Sequence, residues 1–197
     1  MGFFVRSAAV PEFKNAARFK PWLRRDFRYQ CAYCEITERY RRGSDSFGVD
    51  HFQPKKIFPE LEFQYPNLYY CCNSCNRYKG VRWPRPEELA AGFKFADPCE
   101  GDPYDEHLTE QPNGYVRAET PAGQYMLDIL RLNRDELIRF RNRRTHIRNP
   151  IDRCVGIMRD DRLDLDEDDR RAITHFLADL EQEWQASQSG SPWPPEP

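Results

Sequence analysis

The chain has 197 residues, 39% of them hydrophobic and 31% charged, with a formal net charge of −2. A mean hydropathy of −0.88, with no apolar run approaching the roughly 18 residues that cross a bilayer, excludes a transmembrane helix and leaves no membrane role. Aromatic residues at 14% suffice for a packed core, so wholesale disorder is excluded as well.

In chain order, Met1 to Val10 is interrupted by Arg6 and followed by Lys14, Arg18 and Lys20, so it lacks the apolar stretch of a secretory signal and the expected location is cytoplasmic. Glu12 to Tyr29 carries Phe13, Ala17, Trp22, Leu23 and Phe27 at rough helical spacing among basic residues, which predicts a basic helical segment over residues 1–30, broken at Pro21. Residues 41–50 read as a loop leading into a short strand, Phe47 to Phe52, and Asn67 to Cys72 reads as a second. Asn73 and Ser74 start a short helix that Gly80, Pro84 and Pro86 stop.

Residues 87–120 are rich in Pro, Gly and Asp and end in a hairpin around Pro112-Asn113-Gly114. Asp97 and Asp102 there are either turn formers beside proline or a second cation site. Two helices follow, Ala122 to Arg148 and Asp166 to Gln185, within a helical part spanning 121–186, and residues 187–197 read as a disordered tail. Arg131, Arg134, Arg139, Arg141, Arg143, Arg144 and Arg148 form a dense stretch, read either as a phosphate-backbone contact or as a solvated helix paired with the acidic run from Asp160 to Asp169. His107, His146 and His175 read as ordinary core or surface histidines.

Seven cysteines in a reducing compartment are a poor disulfide framework and a better start for metal ligation. Cys31-Ala-Tyr-Cys34 and Cys72-Asn-Ser-Cys75 are two Cys-x-x-Cys pairs with 37 residues between them. The two-residue gap lets both thiolates of a pair face one ion, so the pairs together supply the four sulfurs of a closed, structural zinc site. Cys71 is an alternative ligand that breaks the repeated spacing, and Cys99 and Cys154 read as small buried hydrophobes.

Between and after these pairs lie Val49-Asp50-His51-Phe52-Gln53-Pro54-Lys55, Pro66-Asn67-Leu68-Tyr69 and Cys75-Asn76-Arg77-Tyr78-Lys79-Gly80. This pattern resembles the HNH endonuclease superfamily, with Asp50 and His51 ending the first strand, Asn67 central and Asn76 on the following helix, an HNN variant. The resemblance implies an α+β, mainly α fold: a zinc-stabilised ββα-metal nuclease core over residues 31–86, flanking helices and a helical C-terminal half.

It also implies a metal-dependent endonuclease acting on DNA. His51 suits the general base that activates water. Asp50 and Asn76 offer oxygen ligands for a catalytic Mg²⁺ or Mn²⁺. Asn67 would hold the His51 ring by a hydrogen bond, through its side chain or its backbone carbonyl, and Lys79, three residues from Asn76 on one helix face, could meet a phosphate near the metal. The wider pattern, with Ala96-Asp97-Pro98-Cys99 and Asp102-Pro103, is similar to small HNH nuclease subunits of Septu and retron anti-phage systems, which implies an ATPase partner. The alternatives are a zinc-stabilised nucleic-acid-binding or assembly module without catalysis, and the same nuclease centre acting on RNA.

Overall fold

Pro21 begins the first helix instead of breaking it. After a 3₁₀ turn at Ala16–Phe19, α1 (Lys20–Asp26) carries Pro21 in its first turn, where a missing amide hydrogen costs nothing and the fixed φ suits the helix. A computed structural model describes residues 3–159, 163 and 165–188; residues 189–197, most of the segment expected to be a tail, lie outside the described residues.

The first half is built on one hairpin. Strand β1 (Phe47–His51) pairs antiparallel with β2 (Leu68–Cys72), Phe47 opposite Cys72 and His51 opposite Leu68. All five residues of β2 are buried, as its aromatic and apolar run requires of a strand covered on both faces. Helix α2 (Asn73–Lys79) follows without a linker. The Cys72 sulfur accepts from the Cys75 amide at 3.4 Å as its N-cap, and Gly80, at φ 53°, ends it. The unit is therefore ββα.

The segment before α1 is fastened under the hairpin. Arg6 Nη1 donates to the carbonyls of Tyr65 at 3.1 Å and Leu68 at 2.9 Å, with its guanidinium 4.5 Å from the Tyr69 ring centroid. The buried Asp26 carboxylate accepts from the Ser7 amide and hydroxyl and from the Tyr65 hydroxyl. Phe27, Tyr69 and Phe52 continue the stack, and Phe47 lies parallel to Tyr70 with centroids 5.0 Å apart.

Residues 86–118 hold more structure than their turn-rich composition suggests. Two short helices, α3 (Pro86–Ala90) and α4 (Pro103–Glu106), precede a hairpin of β3 (Leu108–Glu110) and β4 (Val116–Ala118) that closes through Pro112-Asn113-Gly114. Asp97 accepts from the Cys99 amide and Asp102 caps α4 through the Tyr104 amide, so both act as local turn and cap formers.

The helix expected from Ala122 to Arg148 is two helices, α5 (Pro121–Leu130) and α6 (Asp135–Arg159). Arg131 takes a left-handed conformation at φ 50° as the cap of α5, and Asn133 then bonds both backbone groups of Val116, at 2.7 and 2.8 Å. That pairing with β4 holds the chain out of the helix at the break. Gly123 lets α5 press on the hairpin, since a Cβ there would stand 2.0 Å from the His107 carbonyl oxygen. Helix α7 (Glu167–Gln188) packs back along α6. Among the described residues no helix is long and apolar enough to cross a membrane.

The arginine stretch divides by tertiary partner. Arg141 is buried, donating to the carbonyls of Gly114 and Leu132, each at 2.6 Å. Arg144 pairs with Glu35 and Glu110, and Arg134 turns toward the cysteines. Three members of the stretch are thus held inside the fold by groups distant in sequence, and Asp160, Asp161 and Asp164 of the acidic run lie outside the described residues.

Candidate functional site

The sulfurs of Cys31, Cys34, Cys72 and Cys75 lie within 4.8 Å of one another, and all four residues are buried. Cys34 and Cys72 are 3.8 Å apart, which matches the edge of a tetrahedron whose metal–sulfur bonds are about 2.3 Å. One pair comes from the turn after α1 and the other from the β2–α2 junction, so a zinc ion bound there would clamp the hairpin and its helix to the preceding turn. The donor set is soft, closed and fits structural zinc. Cys71 is buried beside it, 4.0 Å from Cys31, and donates to the Cys72 carbonyl. Cys99 and Cys154 are only half-buried, not the core thiols expected.

Sequence reasoning missed the counter-charge. Arg134 Nη2 approaches the sulfurs of Cys75 at 3.4 Å, Cys34 at 3.6 Å and Cys72 at 3.7 Å. Four thiolates around Zn²⁺ leave a net charge of −2, and a guanidinium on three of them offsets part of it. No local signal marks Arg134, which lies 59 residues beyond Cys75.

At the other end of β1, Asp50 and His51 diverge, as adjacent strand residues must. Asp50 is 3% exposed; its Oδ2 accepts from the Tyr33 hydroxyl at 2.6 Å and pairs with Lys79 Nζ at 3.0 Å. Burial raises the Asp50 carboxyl above its usual range, against the opposing pull of Lys79 and Tyr33, and burial followed by the Asp50 charge raises the Tyr33 hydroxyl well above its own. Asp50 Oδ1 carries no hydrogen bond among the described residues. Gly48, on the same strand face as Asp50, looks onto the Asn76 amide. Asn76 gives its Nδ2 to the Val49 carbonyl at 3.4 Å, which leaves its own oxygen to accept. Asp50 and Asn76 thus share one face of the hairpin and offer two hard oxygens.

Lys79 corrects the sequence expectation. It is fully buried, with Nζ 2.6 Å from the His51 carbonyl as well as on Asp50, and cannot meet a phosphate at the surface. Its place at the end of α2 points the side chain back under β1, where it neutralises the buried carboxylate.

His51 is half-buried, and its Nε2 lies 3.0 Å from the Glu62 carbonyl. A carbonyl only accepts, so Nε2 carries the proton and Nδ1 keeps its lone pair. Burial lowers the His51 pKa from its ordinary value, with Lys55 acting in the same direction, while the Glu62 carbonyl and Asp50 oppose. Asn67 does not hold this ring through its side chain. Its amide brackets Gln53, accepting from the backbone N–H at 2.8 Å and donating to the carbonyl at 3.0 Å, and its backbone carbonyl accepts from Phe52 at 2.9 Å. Asn67 therefore shapes the loop after His51, and Glu62, whose side chain binds Lys55, orients the ring.

The ββα unit, its four cysteines and the His51 ring fall in a segment with known relatives. Residues 31–82 match the HNH endonuclease family model. The HNH segment takes in both cysteine pairs, both strands and α2, about a quarter of the chain. The chain is also 29% identical over 110 residues to Septu protein PtuB of Bacillus thuringiensis. That match covers 55% of this chain and 39% of the relative's length. No solved structure matches.

Proposed function

We propose that the chain is a metal-dependent HNH endonuclease that hydrolyses DNA phosphodiester bonds in the cytoplasm, as the nuclease effector of an anti-phage system. The observation that carries this reading is the His51 ring, fixed through Nε2–H with Nδ1 unprotonated, at the strand end of a ββα unit that carries the four-cysteine cluster. The similarity to Septu protein PtuB supports the defensive role, and the resemblance of the wider residue pattern to anti-phage HNH nuclease subunits adds a partner ATPase.

His51 Nδ1 takes a proton from a water in line with the scissile phosphodiester, and the Glu62 carbonyl stabilises the imidazolium that forms by accepting from Nε2–H. Asn67 keeps the loop carrying Gln53 in place, so the ring faces one direction. Asp50 Oδ1 and the Asn76 side-chain oxygen would hold Mg²⁺ or Mn²⁺, a donor set in keeping with ions that take few carboxylates and leave positions for substrate phosphates. When bound, that cation offsets the negative charge that builds on the phosphoryl oxygens and the leaving oxygen. Lys79 and Tyr33 fix the Asp50 carboxylate from its other oxygen.

The experiment is cleavage of supercoiled plasmid and of a structured RNA by the zinc-loaded protein, with Mg²⁺, with Mn²⁺ and without added divalent cation. Cation-dependent nicking or linearisation of the plasmid is expected. Cleavage of the RNA alone would reassign the substrate, and folded protein inert on both would favour a binding or assembly module.

A further inference from the structure

A cavity of about 280 Å³ opens between the turn after the first cysteine pair and the α6–α7 pair. Arg39, Arg42, Arg143 and Arg144 line it, with Tyr40 and Phe140 as an aromatic wall and Glu183 at its edge. The Tyr40 and Phe140 rings meet edge to face, centroids 5.1 Å apart. Arg144 is committed to Glu35 and Glu110. Arg143 is largely exposed, and its ion pair to Glu183 is loose at 3.8 Å. The exposed Arg42 side chain makes no hydrogen bond or ion pair among the described residues, and its backbone is set by a left-handed turn at φ 63°. The lining thus combines an excess of guanidinium with aromatic surface. Guanidinium forks match phosphate oxygens, and ring faces and edges match a nucleobase. None of Asp50, His51, Asn67, Asn76 and Lys79 is among the residues lining the cavity, so it is distinct from the candidate catalytic group.

We propose that this cavity binds a nucleotide, its phosphate on Arg42 and Arg143 and its base against Tyr40 and Phe140. The ligand chemistry has two sources: a free mononucleotide, or one nucleotide of a nucleic-acid strand lying across the chain. The proposal does not rest on the nuclease reading, and binding measured in a His51→Ala protein keeps the two apart.

The test is titration of the zinc-loaded full chain, without divalent cation, with thymidine 5′-monophosphate, a short single-stranded oligothymidylate and inorganic phosphate. The variants are Arg42→Glu and Arg143→Glu, both at exposed positions, and Tyr40→Leu. Zinc content and melting temperature matching the parent confirm that each is folded. Each charge reversal is expected to weaken nucleotide binding at least about tenfold. Tyr40→Leu should weaken the nucleotide probes and leave inorganic phosphate unchanged. Binding of the mononucleotide assigns a free-nucleotide site; binding of the oligonucleotide alone assigns a strand contact. Wild-type affinity for both nucleotide probes in the folded charge-reversal variants, or no binding of either probe to the parent protein, would overturn the proposal.

Discussion

Lys79 shows how one buried side chain changes the meaning of a motif. Its spacing from Asn76 places it on the helix face that meets β1, but the strand backbone and Asp50 take up its charge before it reaches solvent. Removing a single partner of a buried pair strands the other charge. Lys79→Met is therefore expected to cost about 3–5 kcal/mol of stability in denaturant titration. Asp50→Asn combined with Lys79→Met should recover much of that loss, and a double variant no more stable than the single would count against the pairing. At His51 the depressed pKa means that the ring stays neutral below its ordinary value, so the acid limb of a cleavage profile should lie below about pH 6.5. Lys55 pushes that pKa down, so Lys55→Gln should move the limb toward higher pH. Lys55 is half exposed, which keeps the shift to a fraction of a pH unit. An unmoved or lowered limb would contradict the assignment of the base.

Among the elements, those set by local chemistry were legible. The two cysteine pairs, the strands flanking the His51 loop, the short helix stopped at Gly80 and the Asn-Gly hairpin all stand where spacing and turn residues put them. What the sequence hid depends on contacts far along the chain. The break between α5 and α6 follows from Asn133 pairing with Val116, and the inward arginines follow from partners such as Glu35, Gly114 and the thiolates. Within the site, the His51 orienter was hidden for the same reason: it is a backbone carbonyl, Glu62, which no side-chain pattern encodes. Arg134, just before α6, reaches three sulfurs of the cysteine cluster, and changing a group that contacts a metal's ligands typically costs about 10–100-fold in metal affinity. Arg134→Met is expected to speed zinc transfer to a chromogenic chelator by a comparable factor, whereas unchanged transfer would make the contact incidental.

On the scale of the molecule, the ties by charge between the helical half and the finger include Arg134 on the thiolates, Arg144 on Glu35, and Arg41 on Glu136. The net charge of −2 therefore says little about nucleic acid, because it sums internal pairs with outward arginines. With these ties, zinc removal should not melt the finger alone. Chelation is expected to lower the far-UV helical signal together with tertiary fluorescence, and a full helical signal in the zinc-free protein would show that the halves fold independently.

We propose His51, in the segment that matches the HNH endonuclease model, as the base of a phosphodiester hydrolase. The most direct measurement of that role is the single-turnover rate of plasmid cleavage by wild-type and His51→Ala proteins of equal zinc content, with Mn²⁺ or Mg²⁺ present. Loss of the base should slow cleavage by about 10²–10⁴-fold without loss of zinc. A His51→Ala protein that cleaves at the wild-type rate would remove His51 from that role.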